Sequence, residues 1–281
     1  MPFANFFFIC GLVSAFVAPS VALPRQNLPR VVSLNLCADP YLMAFADKQQ
    51  IGALTHLSRD ATLSPHAQAA QNFPVSDGQI ETLIDLAPDI VIVSSWSDPM
   101  RNALIERLGF KLMVMNAAQN YDAARVEILA LGDAIGRGPQ ARAYLDKLDR
   151  DMETVAAKTS PPDMARIMPL QRRNVTVGRG HILDDIISRA GGVNLGRTGR
   201  SQTIKRVSLE NALAVSADFI LVNEAHNTPD SRGMEFLTHP ALRAAYPPAR
   251  RLFIDNNLLV CAGASTPRAV KALIEQLPQA P

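Results

Sequence analysis

The stretch "IETLIDLAPDIVIV", Ile80 to Val93, returns without a gap as "LENALAVSADFILV", Leu209 to Val222. Glu81 falls on Glu210 and Asp89 on Asp218, both at an offset of 129 residues. Each copy reads as a short helix running into a near-continuous apolar strand, and in the first copy Pro88 marks the break. A strand apolar on both faces belongs in a parallel sheet covered by helices. A helix–strand unit written twice therefore constrains the chain to two similar α/β halves.

The chain has 281 residues, 48% of them hydrophobic, which is enough to bury the cores of two such halves. Residues 1–22 contain no charged side chain and carry "FFFICGLVSAFVA" before "PSVA", so a secretory signal cleaved after Ala22 is expected. The lack of Lys or Arg in this segment leaves a short membrane anchor as the alternative. No lipoprotein-like motif surrounds Cys10. A net charge of +2 excludes the strongly basic class of nucleic-acid binders. The basic pairs Arg172–Arg173 and Arg250–Arg251 could still help attract an anionic ligand, with a solvated face as the plain alternative.

Residues 23–121 read as a first α/β lobe. Strands are expected from Val31 to Leu36, around Ile51 to Leu54, in "DIVIVSS" and in "KLMVMN". Helices are expected from about Pro40 to Ala46, with Asp39 as N-cap, in the first repeat copy and from Pro99 to Leu108. Residues 122–160 read as a helical connector broken at "GRGP". Beyond that break, Tyr144, Leu145, Leu148, Met152 and Val155 share one face over about 30 Å. Residues 161–281 then read as a second lobe, opening with the strand "NVTVG" and closing with the helix "STPRAVKALIEQL". The expected fold is thus two Rossmann-like α/β lobes joined by one long backbone helix, with a ligand cleft between them at the carboxyl ends of the strands. A continuous helix holds lobes at a nearly fixed angle, unlike a hinge of Gly and Ser.

Taken together, "RVVSLNLCADPYLMAFA", "GQIETLIDLAPDIVIV", "LGDAIGRGPQARAYLDKL", "GGVNLGR" and "VSLENALAVSADFILV" resemble the periplasmic substrate-binding proteins of iron-siderophore, haem and cobalamin ABC importers. The resemblance covers nearly the whole chain beyond the leader. It implies a periplasmic, monomeric, non-enzymatic receptor that delivers a metal chelate to a dimeric permease, with no cofactor of its own. It also implies why the acid is written twice: Glu81 and Glu210 match the positions at which each lobe docks on an Arg of the permease. A helix-dipole preference for a first-turn carboxylate is the competing account.

The candidate ligand residues follow strand ends that face the cleft. They are Cys37 and Asp39 after the first strand, His56, Ser58 and Arg59 after the second, and Trp96 after "DIVIVSS". The second lobe offers Arg179 and His181, Asn223 and His226, then Asn256, Asn257 and Cys261. Trp96 could stack on a flat macrocycle or an aromatic siderophore. His56 and His226 could ligate an iron or cobalt centre. Arg59 and Arg179 suit carboxylate, hydroxamate or phosphate through forked hydrogen bonds. Each also has a plain structural role as its alternative.

An oxidising compartment would permit a disulfide between Cys37 and Cys261. Their expected placement in different lobes, where a bridge would hinder relative motion, weighs against it. A ferric siderophore or related iron complex is the expected cargo, with a corrinoid as the near alternative. The histidines form no four-ligand set for a bare metal. An exported enzyme in the same cleft is the rival from another class, and His181 beside Asp184 and Asp185 is its main support. No G-x-S-x-G, H-E-x-x-H or P-loop accompanies it.

Overall fold

The computed structural model describes residues 28–157, 164–197, 204–223 and 233–278. The expected leader at 1–22, with Cys10, and His226 lie outside the described residues. The first lobe runs β1 (Val31–Ser33), α1 (Asp39–Phe45), β2 (Ile51–Thr55), α2 (Ala67–Ala70), β3 (Val75–Ser76), α3 (Ile80–Leu86), β4 (Ile90–Ser94), α4 (Pro99–Arg107) and β5 (Lys111–Met115). Its five strands form a parallel sheet in the order β3-β2-β1-β4-β5. An antiparallel helix pair follows, α5 (Tyr121–Ala134) and α6 (Gly138–Ala156), turning at the Gly-containing break that the sequence marks.

The second lobe holds β6 (Arg166–Pro169), β7 (Val175–Val177), α7 (Ile182–Arg189), β8 (Val193–Asn194), β9 (Ile204–Arg206), α8 (Leu209–Ala214) and β10 (Phe219–Asn223). It ends with α9 (Glu235–Thr238), α10 (Pro240–Ala245), β11 (Arg251–Ile254) and α11 (Thr266–Ile274). Its parallel sheet has the order β11-β10-β6-β8. That is the order β5-β4-β1-β2 of the first lobe, so the repeat in sequence is a repeat in topology. The acids of the repeat show its register. Asp89 accepts the backbone N–H of Arg30 at 2.6 Å, and Asp218 accepts that of Arg166 at 2.7 Å. Each carboxylate thereby ties the head of β4 or β10 to the head of the central neighbouring strand.

Two expectations need correction here. "NVTVG" is not the first strand of the second sheet; β7 pairs antiparallel with β9, Val175 opposite Arg206, in a separate ribbon. The equivalent of β1 is "RIMP", four residues whose ending Pro hides them from pattern reading. Asp39 is not an N-cap either, since Ala38 takes that place and Asp39 lies inside the first turn.

Alternation along the strands sends side chains to two different cores. Val31, Ile90 and Ile92 point inward, as do Ile167, Leu221, Leu252 and Ile254 of the other sheet, and both sets share one core with α5, α6 and α11. Val32, Val91 and Val93 point outward to a smaller core under α3 and α4, and Met168, Ile220 and Val222 to one under α9 and α10. The nineteen residues of α6 span about 28 Å. Ala141, Leu145, Leu148 and Met152 bury its inner face, which touches α1 on one side and α11 on the other.

Candidate functional site

The segments that follow the carboxyl ends of the two sheets meet each other. Cys37, beyond β1, is disulfide-bonded to Cys261, beyond β11. The Asn257 side-chain amide donates to the carbonyl of Ala61 at 2.8 Å, and that of Asn256 to Thr62 at 3.0 Å, both beyond β2. Tyr41, buried in α1, donates its hydroxyl to the Ala262 carbonyl at 3.0 Å. Gly263 has φ +105°, and a Cβ there would stand 2.0 Å from the Tyr41 hydroxyl, so this close approach needs glycine. The disulfide runs against the expectation that placement in different lobes disfavours a bridge. With the strand ends opposed, the two cysteines sit at a junction of the lobes, their Cα atoms 5.4 Å apart. Cys37, Asn257 and Cys261 thus act first as a clasp across one end of the cleft.

The other candidates separate by burial. Asp39 is fully buried and accepts the Thr55 N–H at 3.1 Å, which removes it from any ligand surface. Burial pushes its carboxyl well above the usual carboxylate range, against the opposing influence of hydrogen bonds from Ser33, Thr55 and Ser58. Ser58 is buried as well and donates to the Thr55 carbonyl. The Arg59 guanidinium is spent inside the lobe, on the carbonyls of Phe73 at 2.6 Å and Ala70 at 3.5 Å. His56 is exposed at the end of β2, and Trp96, beyond β4, is 81% exposed. Arg179 is exposed beyond β7, and Asn223 ends β10.

His181 caps α7: its Nδ1 accepts the Leu183 N–H at 3.1 Å. Burial lowers its pKa, with the charge of Asp184 opposing, so the neutral ring is favoured. A neutral imidazole whose Nδ1 accepts carries its proton on Nε2, which makes that nitrogen a donor rather than a metal ligand. The two neighbouring acids serve structure. Asp184 binds the Asn194 amide at 2.9 Å and the Arg197 guanidinium, while Asp185 binds Arg189 and the Tyr121 N–H. The acid–base arrangement that an enzyme would need is therefore not assembled around His181.

His181 lines a cavity of about 320 Å³ in the second lobe together with Gln171, Arg172, Arg173 and Asn256. Because Asn256 also reaches Thr62, the cavity adjoins the lobe junction. Arg172 and Arg173 were not singled out as ligand residues in the sequence. Their dibasic signal was visible, but the loop that carries them, between β6 and β7, appears only once "RIMP" is placed in the sheet. No group of three or more His, Cys, Asp or Glu that could hold a metal ion occurs among the described residues. No described helix is long and apolar enough to cross a membrane.

Solved structures with the same fold include a periplasmic haem-binding protein from Pseudomonas aeruginosa, 23% identical over 88% of this chain and 91% of that one, with a TM-score of 0.67. The periplasmic haem-binding protein HutB of Vibrio cholerae is 18% identical over 88% and 97%, with a TM-score of 0.69. The periplasmic vitamin B12-binding protein BtuF of Vibrio cholerae is 20% identical over 88% and 95%, with a TM-score of 0.60. No curated protein sequence matches the chain at a significant level. The family model described as periplasmic binding protein matches residues 31–246, from β1 to just past α10. With its two matched lobes and opposed strand ends, the chain belongs to the periplasmic binding protein family.

Proposed function

We propose that this protein is a periplasmic receptor that captures a metal chelate between its lobes and delivers it to an inner-membrane ABC importer. The observation that carries this reading is the equivalence of Glu81 and Glu210. Both lie exposed in the first turn of a helix that leads straight back into a parallel strand, so both stand at the carboxyl-end side of their lobes. The Glu210 carboxyl is held below the usual range by its own backbone N–H and the Ser208 hydroxyl, and is charged at neutral pH. A receptor with two equivalent acids suits a two-fold permease carrying one cation per subunit.

A ferric complex of siderophore type is the cargo we favour, because the cavity wall in the second lobe is cationic. A corrinoid is the second reading, and the exposed indole of Trp96, which a flat macrocycle would cover, favours it. Native mass spectrometry of protein taken from its own periplasm, with an absorption spectrum, tests the reading. A bound mass carrying iron or cobalt supports it; turnover of the recovered small molecule by the purified protein would overturn it in favour of an enzyme.

A further inference from the structure

We propose that the outer flank of the second lobe, away from the cleft, holds a site for a medium-chain carboxylate amphiphile, whose chain lies over Met168, Val207 and Val215 and whose head meets the Lys205 ammonium. The site is independent of the receptor reading. Three observations converge.

A cavity of about 340 Å³ lies between β6, β9 and α8. That is the lower end of the roughly 300–1,000 Å³ found for small-ligand sites. Met168 and Val207 line it and belong to the outer core of the lobe, against which Leu195 and Val215 also pack. Met168 points away from the core that the two lobes share, and Val215 follows the last residue of α8 on the way back to the amino end of β10. The cavity is therefore a separate space from the cleft, which lies at the carboxyl ends of the strands.

The repeat explains why there is room. Where α3 carries Leu83, Asp85 and Leu86, the second copy carries Ala212, Ala214 and Val215. In the first lobe Leu83 is fully buried in one core with Val32, and Leu86 packs against it. Met168 takes the place of Val32 in the second lobe, but the three side chains facing it from the helix segment are shorter. Water in such an apolar gap finds few polar partners, and an apolar chain displaces it favourably.

Charge sets the head group. Lys205 stands opposite Thr176 in the β7–β9 ribbon, so the two side chains leave the ribbon on the same side. Thr176 is fully buried there, with its hydroxyl 3.9 Å from the Met168 sulfur. Lys205 is thus carried in over the apolar floor, and burial holds its amine below the usual lysine range with no carboxylate opposing the shift. Among the described residues neither Lys205 nor Arg206, which also lines the cavity, pairs with an acid. A partly desolvated ammonium gains more from a carboxylate than one in open water does.

The test adds decanoate, decanol and acetate to the full chain while methionine and valine methyl signals are followed by carbon-edited NMR, the Met168 signal being identified from Met168→Leu. Decanoate is expected to shift the methyls of Met168, Val207 and Val215 and to leave that of Met100, exposed on α4, in place. Its affinity by calorimetric titration should fall about 10-fold for Lys205→Gln. It should fall further for Ala214→Phe, which fills the cavity from an exposed wall position and so spares the fold. Lys271→Gln on α11 should bind like wild type. Decanol should bind wild type about as weakly as decanoate binds the Gln variant, and acetate should move none of these methyls. Unmoved Met168 and Val215 methyls, or wild-type decanoate affinity in either Lys205→Gln or Ala214→Phe, overturns the site. Equal affinity for decanol and decanoate overturns it too, by removing the carboxylate from the recognition.

Discussion

Cys37 and Cys261, 224 residues apart in sequence, are joined side chain to side chain where the two lobes meet. Closing so long a loop removes conformational freedom from the unfolded chain, worth about 5 kcal/mol in the chain-entropy model. Replacing both cysteines by Ser should therefore lower stability by about 2–5 kcal/mol. Calorimetry of the oxidised protein, the reduced protein and the double Ser variant checks this. The reduced and Ser proteins should melt together and below the oxidised one; equal melting of all three would mean that the bridge does not form in solution.

Charge reversal at Glu81 or Glu210 should cripple uptake without disturbing the receptor. Each side chain is exposed, so Glu→Lys removes only a first-turn dipole contribution of about 0.3–1 kcal/mol from the free protein. At a permease cation it creates a like-charge contact costing several kcal/mol. Transport into proteoliposomes holding the cognate importer should fall for either variant and further for the double variant. Normal uptake by the double variant would leave both residues as helix-start preferences.

Asp39 predicts a pH dependence with a definite sign. Its folded-state pKa is raised above the ordinary 3.8, so it contributes stability that is fully present below pH 3.8 and lost as pH rises through the folded value. Asp39→Asn, which resembles the protonated acid, lacks that dependence. The stability of the Asn variant minus that of wild type should accordingly grow from pH 3.5 upward, then level off once the folded-state carboxyl has ionised. Urea titrations at stepped pH measure it. A difference independent of pH would mean that Asp39 is not titrating in this window.

Trp96 and Arg59, both expected to face the ligand, should behave oppositely on truncation. Trp96→Ala changes an exposed side chain and should leave the melting temperature within the scatter of surface substitutions. If the indole covers the chelate, affinity drops by about 1–2 kcal/mol. Arg59→Ala removes the donors of the Phe73 and Ala70 carbonyls and should cost about 1–3 kcal/mol of stability. Calorimetric titration beside thermal melts separates the two. An Arg59→Ala protein that melts like wild type but loses ligand would return Arg59 to the cleft.

Local signals carried the architecture in the sequence: the doubled helix–strand unit, the Pro88 break, and the 3.6-residue spacing on α6. What remained hidden depends on how distant segments meet. "RIMP" has too few residues to show a period, and only the bond from Arg166 to Asp218 gives it away as the counterpart of the strand begun after Arg30. The "VTV" of β7 is a genuine strand by its β-branched residues, but propensity does not name a partner. Cys37 and Cys261 follow strands of different sheets, and the expectation against a bridge fails on geometry alone, because the opposed strand ends meet. The Asp-Pro pair marks Asp39 as an N-cap and its place after a strand as a ligand candidate, whereas its neighbours in space, Ser33, Thr55 and Ser58, come from the ends of β1 and β2 and bury it. Asn223 and His226 carry ligand expectations that remain proposals, His226 lying outside the described residues.

The inward faces of the two sheets share one apolar core with α5, α6 and α11, so neither lobe can shed water from its own half alone. A fragment stopping before β6 would strip α11 from α6 and expose part of the buried face that carries Leu145, Leu148 and Met152. The two lobes repeat one topology but share one core, so they should unfold in a single cooperative step, with neither half able to fold when severed from the other.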